Sequence, residues 1–421
     1  MAPYLSEDGK DKLVSEINKR LKNNYPSGIR SVAINTFIRI FAYLNTQGQD
    51  NLALNVADIL KEGSNPLLQW NAARALNMII PYSATSTKIA LLGRFSAASG
   101  EITSHRDFQN ALNYLLRDKT IPVEHKKDGR TKNMLKNMLL KVIQETGENL
   151  VDSRALAANS LYLLAQYSAD PSLIEETLKV LNTGISEEFR LGDKTGASFD
   201  KQREIFRKYG VVIFNRGENE WNFSDGELDM IAKALSHLPQ HLLQGTTAII
   251  TGRYSPEYLG TANRYGVISI EYGGLLGDSR DGINRFVRTL YHEIGHTIQL
   301  RLLSPQDYAT FLELHKKSIS RGGRFFARDY GRENELEDFA TLFEAYATNT
   351  RAIVDLARAL GRDNPLMQKL RMIVNLFKFS EGNKEYSYIY EVDADGNFKY
   401  VDPQNKTLPK RELGPDGLPV F

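Results

Sequence analysis

The stretch YHEIGHTIQ, Tyr291–Gln299, places two of the chain's seven histidines four residues apart, with a glutamate directly after the first. On an α-helix, residues i and i+4 are one turn apart. His292 and His296 therefore face the same way, and two imidazole nitrogens can converge on one cation. Glu293 lies beside that face, placed to take a proton from water whose pKa a zinc ion lowers toward ~7. The flanking pattern agrees. Phe286, Leu290, Ile294 and Ile298 recur at helical spacing on the opposite face, which predicts a helix from about Gly282 to Leu303, closed before Pro305.

The rest of the composition narrows the chemistry. The chain has 421 residues, enough for two or three domains, with 42% apolar and 25% charged residues, the balance of a globular protein. Its formal charge of +2 gives no reason to expect a nucleic-acid or membrane-surface partner. No apolar run is long enough to span a bilayer. The opening MAPYLSEDGKDK lacks the charged-then-apolar layout of a secretory signal. There is no cysteine, which excludes a disulfide framework, a thiolate nucleophile and a cysteine-ligated zinc finger. Any zinc must be held by histidine and carboxylate.

Periodicity divides the chain near residue 190. From Leu5 to about Phe189 it reads as helix after helix, as in NPLLQWNAARALNMIIP (65–81) and SRALAANSLYLLAQY (153–167). Ala33, Ala73, Ala111 and Ala158 recur at steps of 40, 38 and 47 residues. That period suits helical hairpins of the HEAT or armadillo kind, and an irregular bundle would read almost the same. The polar segment 182–202 marks the boundary. Beyond it VVIF (211–214), TAIIT (247–251) and VISIEY (267–272) read as strands. A capping box, Ser224 with Glu227, starts a helix whose stripe is Leu228, Ile231, Ala232 and Leu235. A small mixed sheet backed by helices follows, then more helices to about Phe379. In the tail, Tyr386, Tyr388 and Tyr390 alternate toward Phe398 and Tyr400, a hairpin pattern. Its DADGN turn (393–397) is no calcium loop, since Phe398 and Gln404 stand where glycine and glutamate are needed. The expected fold class is α+β and mostly helical, with residues 1–190 a helical array and 191–421 a zincin-type domain with a hairpin tail.

The third zinc ligand is open on spacing alone. Gln299 and Leu302 stand where a metzincin needs glycine and histidine, and Lys316 stands at the thermolysin ligand spacing. His315, at the aminopeptidase spacing, can bind zinc, although LELHKKS also reads as a solvent-facing helix turn. The acidic helix ENELEDFATLFEAYA (333–347) is the other source.

YGRENELEDFATLFEAY following HEIGH resembles the catalytic domain of the anthrax lethal factor family, which includes the bacterial Pro-Pro endopeptidases. The match rests on Tyr330-Gly331-Arg332, Asn334-Glu335, Glu337, Phe339 and Ala340, and the resemblance spans about 197–380. It implies a gluzincin in which His292, His296 and Glu337 hold one zinc, Glu293 is the general base and Tyr330 donates to the oxyanion. It also implies secretion and a peptide or protein substrate. Where that family tends to carry a second acid, four residues after the ligand glutamate, this chain has Thr341, so Asp338 or Glu344 would have to substitute. The strand GVISIEYGG (266–274), with Gly273 and Gly274, stands where such peptidases carry the edge strand that pairs with substrate. The basic segment SRGGRFFARDYGR (320–332) reads as a lid or a linker. Two other functions fit parts of this pattern. A degenerate zincin could serve as a scaffold, with the helical array gripping a protein, but the intact His292-Glu293-His296 set argues against it. A zinc aminopeptidase would carry its repeats after the catalytic domain and a Gly-Ala-Met-Glu-Asn type loop, and neither is seen.

Overall fold

The 3.6-residue periodicity of the first half is realised, among the described residues, as ten α-helices. They are α1 (Glu7–Leu21), α2 (Ser27–Ile40), α3 (Thr46–Asp58), α4 (Pro66–Ile79), α5 (Thr85–Ser96), α6 (Arg106–Arg117), α7 (Val123–Lys127), α8 (Gly129–Gln144), α9 (Val151–Ser168) and α10 (Pro171–Thr183). The structure is a computed structural model. It describes residues 5–62, 65–98, 100–145, 151–183, 189–190, 197–216, 222–252, 259–271, 279–377, 384–385, 390–392, 398–400 and 411–421. The chain divides into two compact units, Met1–Ser186 and Glu187–Phe421.

In the first unit α1, α3, α5, α8 and α10 pack in succession as one layer, and α2, α4, α6 and α9 as the other. Ala33, Ala73, Ala111 and Ala158 fall one on each helix of the second layer and are all buried. Small buried side chains let neighbouring helices approach. Polar pairs stitch the same layer: Asn71 Nδ2 donates to Ser31 Oγ at 3.2 Å, Asn110 to Asn77 at 2.9 Å and Asn113 to Asn159 at 3.0 Å.

The second unit opens with β1 (Phe189–Arg190), α11 (Ala197–Tyr209), β2 (Val212–Arg216), α12 (Asp225–Ser236) and α13 (Gln240–Leu243). It continues with β3 (Ala248–Thr251), β4 (Gly260–Ala262), β5 (Val267–Ile270), α14 (Ser279–Arg301), α15 (Pro305–Ser320), α16 (Glu335–Ala359) and α17 (Pro365–Phe377). Four short strands close it: β6 (Lys384–Glu385), β7 (Tyr390–Val392), β8 (Phe398–Tyr400) and β9 (Arg411–Glu412). The capping box at Ser224 forms, and α12 buries Leu228, Ile231, Ala234 and Leu235, with Ala232 only partly covered. The helix with the histidine pair runs Ser279–Arg301, slightly earlier than its periodicity predicts, because Ser304 caps α15 and Pro305 is that helix's first residue. The chain is mostly helical with a small mixed sheet.

The sheet order is β1-β2-β3-β5-β4. β2, β3 and β5 are parallel, and β4 is antiparallel to β5. This corrects the sequence expectation for VISIEY. β5 is an inner strand, and the edge beside it is β4, whose three residues carry no strand pattern. The helix α11 and the strand β1 were likewise not anticipated. β7 and β8 pair as a hairpin, Tyr390 opposite Tyr400 and Val392 opposite Phe398. Tyr386, Tyr388, the DADGN turn, Gly273, Gly274 and most of the polar boundary segment lie outside the described residues.

α14 is buried along Phe286, Leu290, Ile294 and Ile298, and it crosses α16 at Gly295. A Cβ added at Gly295 would meet Ala340 Cα at 2.9 Å and Phe343 Cβ at 3.3 Å, so something must shift to admit it. Gly295→Ala is expected to destabilise the second unit by about 1–3 kcal/mol through overpacking, and to weaken any metal binding by parting α14 from α16. Thermal melts with metal titration check this; an unchanged melt would mean that the crossing has slack.

Candidate metal centre

The side chains that converge here come from two helices and lie more than forty residues apart in sequence. α14 presents His292 and His296 on one face, their rings 4.8 Å apart and nearly perpendicular. α16 presents Glu337 in its first turn. Asn334 caps that helix, its side chain accepting from Leu336 N at 2.9 Å and Glu337 N at 3.0 Å, which fixes the turn. One ligand-type atom from each of His292, His296 and Glu337 lies within 4.8 Å of the others. His292 Nε2 is 3.0 Å and His296 Nε2 is 3.5 Å from Glu337 Oε2. The three side chains are 14%, 11% and 19% exposed, sheltered but reachable.

Glu293 sits behind this group and is 4% exposed. Its Oε2 has no hydrogen-bond partner among the described residues. Burial pushes its carboxyl up to about 8; His292 opposes the rise, and the charges of Glu337 and Glu271 add to it. The edge strand reaches the same carboxylate. A Cβ added at Gly260 would stand 2.9 Å from Glu293 Cγ and 3.0 Å from its Oε1, so only glycine lets β4 run this close.

Tyr330 lies on a 3₁₀ turn, Asp329–Arg332, just before α16. It is 46% exposed, with its ring 5.8 Å from that of His292. Burial, then the nearby charges of Glu337, Glu333 and Glu293, push its hydroxyl up to about 12, so it stays a neutral donor at ordinary pH. Burial acts to raise Glu337 as well, but hydrogen bonds and charge from His292 and His296 outweigh it and hold the carboxyl at about 2. For His292 burial acts downward, and the contact to Glu337 with the charges of Glu293 and Glu344 reverses the direction.

Two imidazoles and a carboxylate form a donor set of the kind that holds zinc. The unpartnered buried oxygen of Glu293 beside them fits a centre that handles protons. The residues present therefore fit a bound cation.

His315 is not in the group. It is buried rather than solvent-facing, and its Nδ1 is 3.0 Å from Asp338 Oδ2. Asp338 is thereby engaged away from the histidine pair. Glu344 is the acid that approaches, its Oε2 3.9 Å from His292 Nδ1, beyond hydrogen-bond range. Arg288 and Arg328 hold it, with closest contacts of 2.8 Å each. Thr341 is buried with its Oγ1 unpartnered among the described residues, so it does not replace the missing acid. Sequence reading did not single out Arg288, Arg328, Glu271 or Gly260. Only Arg288 left a signal, standing one helical turn before His292.

No protein-family model matches the chain, and no curated protein or solved structure does either.

A pH test follows from Glu293 in metal-free protein. The folded carboxyl keeps its proton up to about 8, whereas its ordinary value is 4.5. Unfolding therefore releases a proton between those values, and stability falls as pH rises through that window. Glu293→Gln removes the part of the dependence that Glu293 contributes. The chelator-treated variant should melt above its parent, by more at pH 8 than at pH 5; an equal or lower melt at pH 8 would contradict a carboxyl held protonated by burial.

Proposed function

We propose that the second unit is a zinc-dependent endopeptidase, a gluzincin similar to the lethal factor family. The observation that carries this reading is the convergence of His292, His296 and Glu337 beside the buried carboxylate of Glu293, whose Oε2 has no hydrogen-bond partner among the described residues. In this reading the three side chains hold one zinc ion, which when bound supplies the positive charge that acidifies water and polarises a carbonyl. Glu293 takes the proton of the attacking water and delivers it to the departing amide nitrogen as the C–N bond breaks. Tyr330, neutral and partly exposed, donates its hydroxyl hydrogen to the carbonyl oxygen as negative charge develops there.

The ladder between β4 and β5 supports a place for the peptide. Glu271 N donates to Leu259 O at 2.9 Å and Asn263 N to Val267 O at 3.1 Å. In an antiparallel pair bonded positions alternate, so Leu259, Thr261 and Asn263 bond inward while Gly260 and Ala262 turn their N–H and C=O outward. A substrate added as a strand would pair with Gly260 and Ala262, next to Glu293. We read the first unit as a HEAT- or armadillo-like array for a protein partner, supported by its two layers and buried alanines.

Protein purified without chelator is expected to carry one zinc per chain. Glu293→Gln should keep the metal and lose turnover of a peptide library, and Glu337→Ala should lose the metal while His315→Ala keeps it. Zinc retention in Glu337→Ala would discard the ligand set. Tyr330→Phe should lower kcat about a hundredfold or more with metal and melting temperature unchanged; parental turnover would reduce Tyr330 to packing. Ala262→Pro removes one outward N–H and no ladder bond, so it should raise KM more than it lowers kcat.

A further inference from the structure

Behind the Tyr330 turn lies a buried ion pair that the chemistry above does not use. Lys369 on α17 is 0% exposed and Asp338 on α16 is 1% exposed. Lys369 Nζ donates to Asp338 Oδ2 at 2.8 Å and Oδ1 at 3.0 Å, and to the Phe325 carbonyl at 2.9 Å. It also stands 4.3 Å from the centre of the Phe326 ring. Asp338 Oδ2 meets His315 Nδ1, whose own ring packs edge-on against Phe326 at 5.5 Å. Gly331, next to Tyr330, presses on the same spot: a Cβ there would lie 3.3 Å from Asp338 Cα and 3.4 Å from Phe326 Cδ1.

Stability does not account for this arrangement. Burying two charges costs several kcal/mol per ion, and an apolar pair of similar volume is often as stable or more so. An ion pair with added hydrogen bonds is directional where an apolar contact is not. Here the cation joins three things: α17, the residue following Glu337, and the backbone five residues before Tyr330. An apolar side chain at position 369 would fill the volume and leave the Phe325 carbonyl without its donor.

We propose that Lys369 and Asp338, braced by His315, are positioning residues that latch the 321–332 segment onto the start of α16. The latch sets Tyr330 in register with His292 and Glu337. This rests on the peptidase reading for its kinetic consequence, and on geometry alone for its structural one.

The test is the full-length double variant Lys369→Met with Asp338→Asn, which keeps both volumes and leaves His315 an acceptor. It is expected to retain zinc and a melting temperature near the parent's. Its kcat should fall about tenfold to a hundredfold, with KM nearly unchanged, as for a misplaced catalytic group. Adding Tyr330→Phe to it should cost less than the same substitution costs in the parent, because coupled residues are non-additive. Amide hydrogens of Gly331 and Glu333 should exchange at least about tenfold faster, with those of α14 unchanged. Parental kcat, or a Tyr330→Phe cost as large in the variant as in the parent, would overturn the latch. So would unchanged exchange at Gly331 and Glu333. If the parent cleaves no peptide, the peptidase reading fails separately and the exchange measurement still decides the latch. Should the double variant not fold, Phe326→Leu, which keeps the ion pair and removes its platform, is expected to speed the same amides, and no change would again refute the proposal.

Discussion

The close crossing of α14 on α16, at Gly295 and Ala340, is the contact on which the rest of the centre depends. Helices usually pack with axes 8–10 Å apart, set by the side chains between them. Here a glycine meets an alanine backbone, and the gap that would hold a Cβ is only 2.9 Å. His296 follows Gly295 directly, and Ala340 is three residues after Glu337, so one contact sets the separation of ligands from both helices. Other contacts prevent α14 from sliding or rolling. Tyr291 Oη donates to Ala234 O at 3.1 Å, tying its buried side to α12, and Gln299 Nε2 donates to Glu335 O at 3.0 Å.

The same closeness creates a cost that the fold carries at Glu293. A buried carboxylate with an unpartnered oxygen opposes folding whenever it is charged. Nothing in the packing requires an acid there, since Ile294 and Ile298 already fill the core side of the helix. The sheet is arranged around it instead: β4 comes against the carboxylate at a glycine, and a second buried acid, Glu271, lies at the end of β5.

What could be read from the sequence was local. The helix with the histidine pair, its buried stripe and the α12 capping box rest on spacings of three and four residues, which the chain carries with it. The four alanines of the first unit were legible for the same reason, as a period. Glu337 was reached only by resemblance, because ENELEDFATLFEAYA shows five acids and nothing local separates them. β4 was missed, for three residues ending in alanine and starting in glycine carry no alternation. The sequence reading of His315 as solvent-facing failed because its partner, Asp338, is 23 residues away.

Those acids show why partners, and not the helix, assign each role. α14 and α16 run antiparallel along one seam: Arg288 meets Glu344, His292 and His296 meet Glu337, and Gln299 meets the Glu335 carbonyl. Glu337 and Glu344 are seven residues apart, two turns, and so share the face toward α14. Asp338 is turned about a hundred degrees from Glu337 and finds Lys369 instead. Glu335 accepts from Tyr308 Oη at 3.0 Å. A single helix thus offers one carboxylate to the histidine pair, one to two arginines beside it and one to a buried lysine. Moving the helix by one residue would break these assignments, since Phe343 and Ala345 flank Glu344. The Asn334 cap and the Gly295 crossing at Ala340 fix that register in the first turns of α16, which is why a helix reading as uniformly acidic is divided among the histidine pair, two arginines and a buried lysine.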